Sequence, residues 1–377
     1  MEEGCYVRVM EIIGKAEGGM KRHYISLSKG LIDEGAEVIA ICNFSEDDTE
    51  DLKSAGIHVI RFPFSKTIRP FLNIWKLIKL IYIIRKTKPQ VIHCHGFKAG
   101  FLGRIAGWLN GTQIPLAYTV HNFVTYGRGK ILSRCIQVFE KWMGDKTQKI
   151  ICVSKALKTS MNREMGITEE KLHVVYNALP ALPVSDGNPS IREKYNIGDN
   201  ELIVGTVARL IPSKGIHVLL TAVSGILIKY PNAKLLIVGS GPEEIHLKKL
   251  AESLGISKQI IFAGKVSNIQ DYYASFNIFV LPTLTEGLGI TVLEAMYFEL
   301  PIIASSVGGI PEWVTHEKNG ILIPPDNAFA LRTALQSLLE SPELAKKYGR
   351  QAKRDIHEKG LSEAEMIKQT WAVLNEM

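Results

Sequence analysis

The stretch "NIFVLPTLTEGLGITVLEAMYFELPIIASS" (277–306) decides the fold. It reads as a short apolar strand, a loop carrying two glycines, a largely apolar helix and a second apolar strand. A strand without polar alternation is buried on both faces, and a helix between two such strands makes them parallel. The same alternation runs outward over the whole chain. In the first half the strand-like runs are "YVRVMEII", "EVIAIC", "IHVIRF", "QVIHCH", "PLAYTV", "KIICVS" and "LHVVYN". In the second they are "LIVGTVAR", "AKLLIVG", "QIIFAG", "NIFVLP", "PIIASS" and "GILIP". Helices are expected between them, at 20–34, 70–87, 131–144, 216–229, 243–254 and 288–299. Two such series predict an α/β protein of two doubly wound, Rossmann-like domains, and 377 residues suffice for two cores. "LPALPVSDGNPS" (179–190) breaks both periodicities and marks the junction. The expected division is 1–182, 183–360 and a terminal helix, 361–377, packing back on the first domain. Met366, Ile367, Thr370, Trp371 and Leu374 recur along one face of that helix.

Composition narrows the class. With 46% hydrophobic and 22% charged residues the chain is neither disordered nor fibrous. Cys5, Cys42, Cys94, Cys135 and Cys152 form no CxxC pair, which argues against a zinc ribbon or thioredoxin motif and suits a reducing cytoplasm. No uncharged apolar run is long enough to span a bilayer, and the acidic start lacks the basic region of a signal peptide. The net charge of +7 is unevenly placed: residues 52–139 hold 14 Lys and Arg and no carboxylate. Such a block implies an anionic partner. Within it, "FPFSKTIRPFLNIWKLIK" (62–79) sets Lys66, Arg69, Lys76 and Lys79 beside Phe62, Phe64, Phe71 and Trp75, a composition suited to an anionic membrane surface. Leu77, Ile78, Ile81 and Ile84 are the expected core face there. The block has no nucleic-acid-reading motif, so no nucleic-acid partner is expected.

Doubly wound domains bind ligands beyond the carboxyl ends of their strands, so residues just after strands are the candidates. Gly18 and Gly19 follow the first strand and open a helix, where free N–H groups favour phosphate; a ligand-free tight turn explains them equally. They form no GxGxxG, so a nicotinamide site is unsupported. His121 follows "PLAYTV" and either meets a sugar hydroxyl, shuttles a proton or shapes the next loop. Arg209 and Lys214 follow "LIVGTVA" and can hold a diphosphate from two sides. Gly239 and Gly241 open another helix. Glu286 lies in a loop, Gly287, Leu288 and Gly289 lead into a helix, and Glu294 sits in that apolar helix. A carboxylate there needs a strong partner, either the paired hydroxyls of a ribose or a cation on a neighbouring helix.

"GTVARLIPSKGIHVLL", "LLIVGSGPEE", "LPTLTEGLGITVLEAM", "PIIASSVGGIPEWV" and "NGILIPP" resemble the donor-binding half of retaining glycosyltransferases of family 4, which have the GT-B fold. Two glutamates separated by seven residues are that family's signature. "EGGM", "TVHN", "VSKALK" and "VYNAL" resemble its first half. The usual phenylalanine after the signature's first glycine is Leu288 here. The resemblance implies two facing domains with a cleft between them, and transfer of a sugar from a UDP- or GDP-sugar. Arg209 and Lys214 would hold the diphosphate, Glu294 the ribose, and Glu286 and His121 the sugar, with Gly18 and Gly19 near the phosphates. No Asp-x-Asp occurs, in keeping with a site that needs neither metal nor cofactor. The basic first half suggests a glycan or polyprenyl-phosphate-linked acceptor in cell-envelope synthesis, on the cytoplasmic face of the plasma membrane. A nucleotide-sugar 2-epimerase or hydrolase of the same architecture is the alternative, and a non-catalytic nucleotide-sugar-binding protein is another.

Overall fold

The computed structural model describes residues 7–64, 70–111, 113–179 and 190–377. The chain divides into two compact units, one of Met1–Ala178 with Leu361–Met377 and one of Leu179–Gly360.

The first unit is built on seven strands: β1 (Arg8–Ile13), β2 (Glu37–Cys42), β3 (His58–Arg61), β4 (Val91–His95), β5 (Leu116–Val120), β6 (Lys149–Cys152) and β7 (Leu172–Val174). Their order is β3-β2-β1-β4-β5-β6-β7, all parallel. The second unit holds β8 (Leu202–Val207), β9 (Ala233–Val238), β10 (Ile260–Gly264), β11 (Ile278–Leu281), β12 (Ile302–Ser305) and β13 (Ile321–Ile323). Their order is β10-β9-β8-β11-β12-β13, again parallel. Each sheet starts in its middle, winds to one edge and then returns to build the other side. The winding reverses between β1 and β4 and between β8 and β11, where such sheets receive ligands.

Packing follows the sequence closely in most places. On the helix Gly96–Leu109, Gly100, Gly103 and Gly107 share one face, so its backbone lies close on the first sheet. A Cβ at these positions would stand 2.5–2.6 Å from Tyr118, Cys94 and Leu116. In the helix Glu363–Asn375, Met366, Thr370 and Leu374 are buried, and Ile367 fills the space over Gly30.

One face differs from expectation. In the helix Pro70–Thr87, Leu80, Ile83 and Ile84 are buried, whereas Ile78 is 53% exposed. The buried face is therefore rotated from the expected one, leaving Ile74, Trp75, Ile78 and Tyr82 facing solvent. Lys76 is half-buried and Lys79 exposed; Lys66 and Arg69 lie outside the described residues, and Phe71 lies where side chains are not described. Among the described residues no helix is long and apolar enough to cross a membrane.

Candidate functional site

In the second unit the reversal point is formed by two loops, 208–215 after β8 and 282–289 after β11. They are stitched together. The Leu284 N–H donates to the Ser213 carbonyl at 2.8 Å, and the Thr283 hydroxyl donates to the same oxygen at 3.0 Å. Gly215 is left-handed (φ 65°), and a Cβ there would stand 2.0 Å from the Pro282 carbonyl oxygen, so only glycine allows this approach. The stitching carries Lys214 onto Glu286: Nζ lies 2.5 Å from Oε2, with side chains only 15% and 13% exposed. Two residues singled out separately in the sequence are thus one ion pair. Arg209 stands exposed on the first loop with no described ion-pair partner, its guanidinium open to an anion.

Gly289, at φ 88°, caps the helix Ile290–Tyr297 without a side-chain hydrogen bond, so the cap residue offers no side-chain acceptor to the first N–H groups of the helix. Leu288 is buried. Glu294 lies on this helix, 1% exposed, and its Oε2 accepts a 2.7 Å hydrogen bond from the Tyr273 hydroxyl. Tyr273 comes from the helix Ile269–Ser275 and stacks on Phe298 at 5.6 Å. A tyrosine on a neighbouring helix therefore orients this carboxylate. Gly239 and Gly241 have a packing reason. Cβ atoms there would stand 1.9 Å and 2.2 Å from the Ala208 and Leu210 carbonyl oxygens, so these glycines let the loop after β9 lie against the loop carrying Arg209.

In the first unit Gly18 is exposed at φ 63° with open space around it, and Gly19 begins the helix Gly19–Asp33. Beside this start lies a buried polar network that the sequence reading found only at its end, in His121. Glu11 on β1 pairs in register with His93 on β4. Its carboxylate accepts from His93 Nδ1 at 2.9 Å and from His95 Nε2 at 2.5 Å. His93 Nε2 lies 2.7 Å from the Thr119 hydroxyl, and His95 Nδ1 lies 3.4 Å from His121 Nε2. His23, from the helix Gly19–Asp33, sets its ring edge to face with His121, centroids 5.0 Å apart. His23, His95 and His121 offer nitrogens within 4.8 Å of one another. A signal for this network exists in the sequence. Glu11, His93, His95, Thr119 and His121 interrupt otherwise apolar strands, and the pairs two apart share one face.

Burial governs the protonation of this network. Burial alone would raise the Glu11 carboxyl, but the imidazoles of His93 and His95 and their hydrogen bonds outweigh it and hold it down at about 2. Burial, reinforced by neighbouring imidazoles, lowers His23 to about 3 and His95 to about 4, and pushes His121 well below its ordinary value. At neutral pH the imidazoles of His23, His95 and His121 are uncharged beside an ionised carboxylate.

Comparison with known proteins places both halves. Residues 17–181 match the family described as Glycosyltransferase Family 4, and residues 187–355 match Glycosyl transferases group 1. An uncharacterized glycosyltransferase of Methanocaldococcus jannaschii is 30% identical over 360 residues, covering 91% of this chain and 90% of that protein. The capsular polysaccharide biosynthesis glycosyltransferase CapM of Staphylococcus aureus is 27% identical over 80% of each chain. The crystal structure of Anabaena HepE in complex with UDP and glucose superposes with a TM-score of 0.83, at 20% identity, over 99% of this chain and all of that one. That likeness establishes a shared fold.

The depressed histidines make stability fall in acid. Their folded values lie below the ordinary value of 6.5, so the unfolded chain binds more protons and stability is lost as pH drops below about 6.5. Each group contributes a slope of about 1.4 kcal/mol per pH unit near pH 5. Glu11 acts further down, its contribution fading from about 4.5 toward about 2. His121→Gln should therefore reduce the pH dependence of the unfolding free energy between pH 7 and 5 by about one proton's worth. Urea unfolding across that range checks it, and an unchanged slope contradicts the buried neutral state.

Proposed function

The chain belongs to the group 1 and family 4 glycosyltransferases and is a transferase of the GT-B fold; from that premise we propose that it moves a sugar, with retention, from a UDP- or GDP-sugar to a glycan or lipid-phosphate-linked acceptor. The observation that carries this reading is the Lys214–Glu286 pair held between two stitched loops at the reversal of the second sheet. Lys214 has three donors and spends one on Glu286, so its others serve phosphate oxygens. Arg209 adds a second cation, and the uncapped helix start after Gly289 adds a dipole. Together they stabilise the charge that grows on the diphosphate as the bond from the anomeric carbon to phosphate breaks. That role needs no metal ion. Glu286 accepts from the sugar's hydroxyls, Glu294, oriented by Tyr273, accepts from the ribose, and His121 meets the sugar. Gly18 and Gly19 let phosphate approach the backbone. HepE, which shares the fold, binds UDP and UDP-glucose, and CapM serves capsule synthesis, which supports a nucleotide-sugar donor and an envelope-glycan product.

A variant panel tests these roles. Lys214→Ala and Arg209→Ala should each lower kcat/KM by about ten- to a hundredfold with circular dichroism unchanged, since each removes a charge-assisted contact of about 1.5–3 kcal/mol. Glu294→Gln should weaken binding of the bare nucleoside diphosphate, whereas Glu286→Gln should spare it and lower kcat. Near-normal kcat/KM in both cation variants, or equal loss of nucleotide affinity in both glutamate variants, would overturn the assignment.

The acceptor's membrane is part of the proposal. The acid-free stretch 52–139 exposes apolar side chains on three helices, Ile74, Trp75, Ile78 and Tyr82, then Trp108 and Leu109, then Ile131, Leu132 and Val138, with Tyr126 in a loop between the last two helices and Trp142 just beyond the stretch. Basic side chains near an anionic surface contribute about 1 kcal/mol each, and tryptophans settle at the headgroup level. This favours a peripheral position on the cytoplasmic face of the plasma membrane. Co-sedimentation should show binding to anionic vesicles that weakens with salt and is lost when Lys66, Arg69, Lys76 and Lys79 are reversed to Glu. Equal binding to neutral vesicles, or no effect of the reversal, would point to a soluble acceptor.

A further inference from the structure

The second unit carries an open groove of about 830 Å³ away from the stitched loops. It is lined by Lys347, Arg350, Lys353, Arg354 and His357 of the helix Pro342–Glu358, together with Glu299 and Glu358. Glu299 follows the end of the helix Ile290–Tyr297 and leads into the amino end of β12. Gly289, where the loop 282–289 ends, opens the same helix at its other end. The groove therefore lies toward the amino edge of the sheet, whereas the stitched loops lie beyond the carboxyl ends of the strands. The helix between the two is about 12 Å long.

Lys347, Arg350 and Arg354 stand three and four residues apart, which sets them on one face of their helix. Tyr348, Gly349, Ala352 and Ile356 are buried on the other face. The neighbouring lysines have partners: Lys346 pairs with Glu343 at 3.2 Å, Lys353 pairs with Glu299 at 3.3 Å, and Lys359 lies 4.4 Å from the centre of the Trp313 ring. Lys347, Arg350 and Arg354 are exposed, and none of the three has a described ion-pair partner. Like charges at this spacing repel and cost the helix stability. The helix dipole favours cations only in the last turn, so it does not account for Lys347 and Arg350. The wall that faces them is fixed. A Cβ at Gly349 would stand 2.0 Å from the Glu299 carbonyl oxygen, so the helix lies close on that turn.

Charge and span define the ligand. The groove has four Lys and Arg against two carboxylates, and Glu299 already spends its charge on Lys353. Arginine forks take phosphate oxygens in pairs, and lysine adds a point charge. Seven residues of helix separate Lys347 from Arg354, about 10 Å, so a single phosphate cannot meet all three cations while linked phosphates can. None of the large apolar side chains exposed among the described residues lies on this helix, so the groove lacks the anchors that a membrane surface uses.

We propose that this groove is a second anion site, which binds a small soluble polyphosphate of two or three linked phosphoryl groups through Lys347, Arg350 and Arg354. The proposal does not rest on the sugar-transfer reading above. A ligand held here sits at the far end of the helix that carries Glu294, so it is not part of the donor subsite.

Titration calorimetry of the full chain with sodium tripolyphosphate at low ionic strength tests the site. Replacing Lys347, Arg350 and Arg354 together by Gln alters only exposed side chains, so circular dichroism should be unchanged. That triple variant should lose one bound equivalent, or bind it at least tenfold more weakly, and in the wild-type chain that equivalent should weaken in 0.5 M salt. Lys214→Ala, which acts at the stitched loops, should leave the equivalent in place. An isotherm unchanged by the triple substitution, or no binding to either protein, would overturn the proposal. Equal affinity of this equivalent for inorganic phosphate would overturn the linked-phosphate assignment. Anionic vesicles supply the competing source. Vesicle binding that survives reversal of Lys66, Arg69, Lys76 and Lys79 but is lost in the triple variant would assign these cations to a lipid surface and overturn the soluble ligand. None of these readouts requires sugar transfer, so a chain inactive with every nucleotide sugar would defeat the proposed function and leave this site standing.

Discussion

Everything in this molecule depends on the constraint that a strand buried on both faces must be joined to its parallel neighbour by a crossover. Hairpins are impossible, so all strands of a sheet end on one edge and the chemistry-bearing loops gather there. Where the winding reverses, two of those loops meet with no crossover helix between them. In the second unit these are 208–215 and 282–289, and the chain has stitched them with hydrogen bonds to the Ser213 carbonyl and a close approach at Gly215. The Lys214–Glu286 pair follows from that stitching.

Both units keep polar groups inside the protein by pairing them, and the pairing orients them. Glu294 is held by Tyr273, Glu11 by two histidines, and Arg104 by Glu140 at 2.7 Å, both fully buried. The Arg104 pair joins the glycine-faced helix Gly96–Leu109 to the helix Lys130–Lys146 and lies over the Tyr118 ring at 4.0 Å. Breaking such a pair leaves an uncompensated buried charge, so these contacts fix geometry as well as stability. Exceptions remain: among the described residues, Nε2 of His23 and Nδ1 of His121 are buried without a hydrogen-bond partner.

The fold was legible because the strands are short, largely apolar runs and longer helical stretches lie between most of them. Every strand-like run from "YVRVMEII" to "GILIP" contains one of the strands β1 to β13. The face of the helix Pro70–Thr87 was misread because Ile and Leu occupy almost every position from 77 to 84, and a pattern apolar all round carries no phase. The second-unit residues were visible because they lie just after strands. The pairing of Lys214 with Glu286, 72 positions apart, was not, since it depends on which loops become neighbours. Gly239 and Gly241 looked like ligand glycines, yet the carbonyls of Ala208 and Leu210 already account for them. The Glu11–His93–His95 network was missed because attention to strand ends overlooks strand interiors, where a lone carboxylate and alternating histidines are the better signal.

The central claim is that the stitched loops of the second unit bind the diphosphate of a nucleotide sugar through Lys214. The most direct measurement is thermal unfolding with UDP-, GDP- and ADP-sugars, on the wild-type chain and on Lys214→Ala. One nucleotide series should stabilise the wild-type chain by about 2.7 kcal/mol at a hundredfold excess over Kd, and Lys214→Ala should lose most of that gain at the same concentration. Stabilisation by none of them, or equal stabilisation of both proteins, would contradict the account.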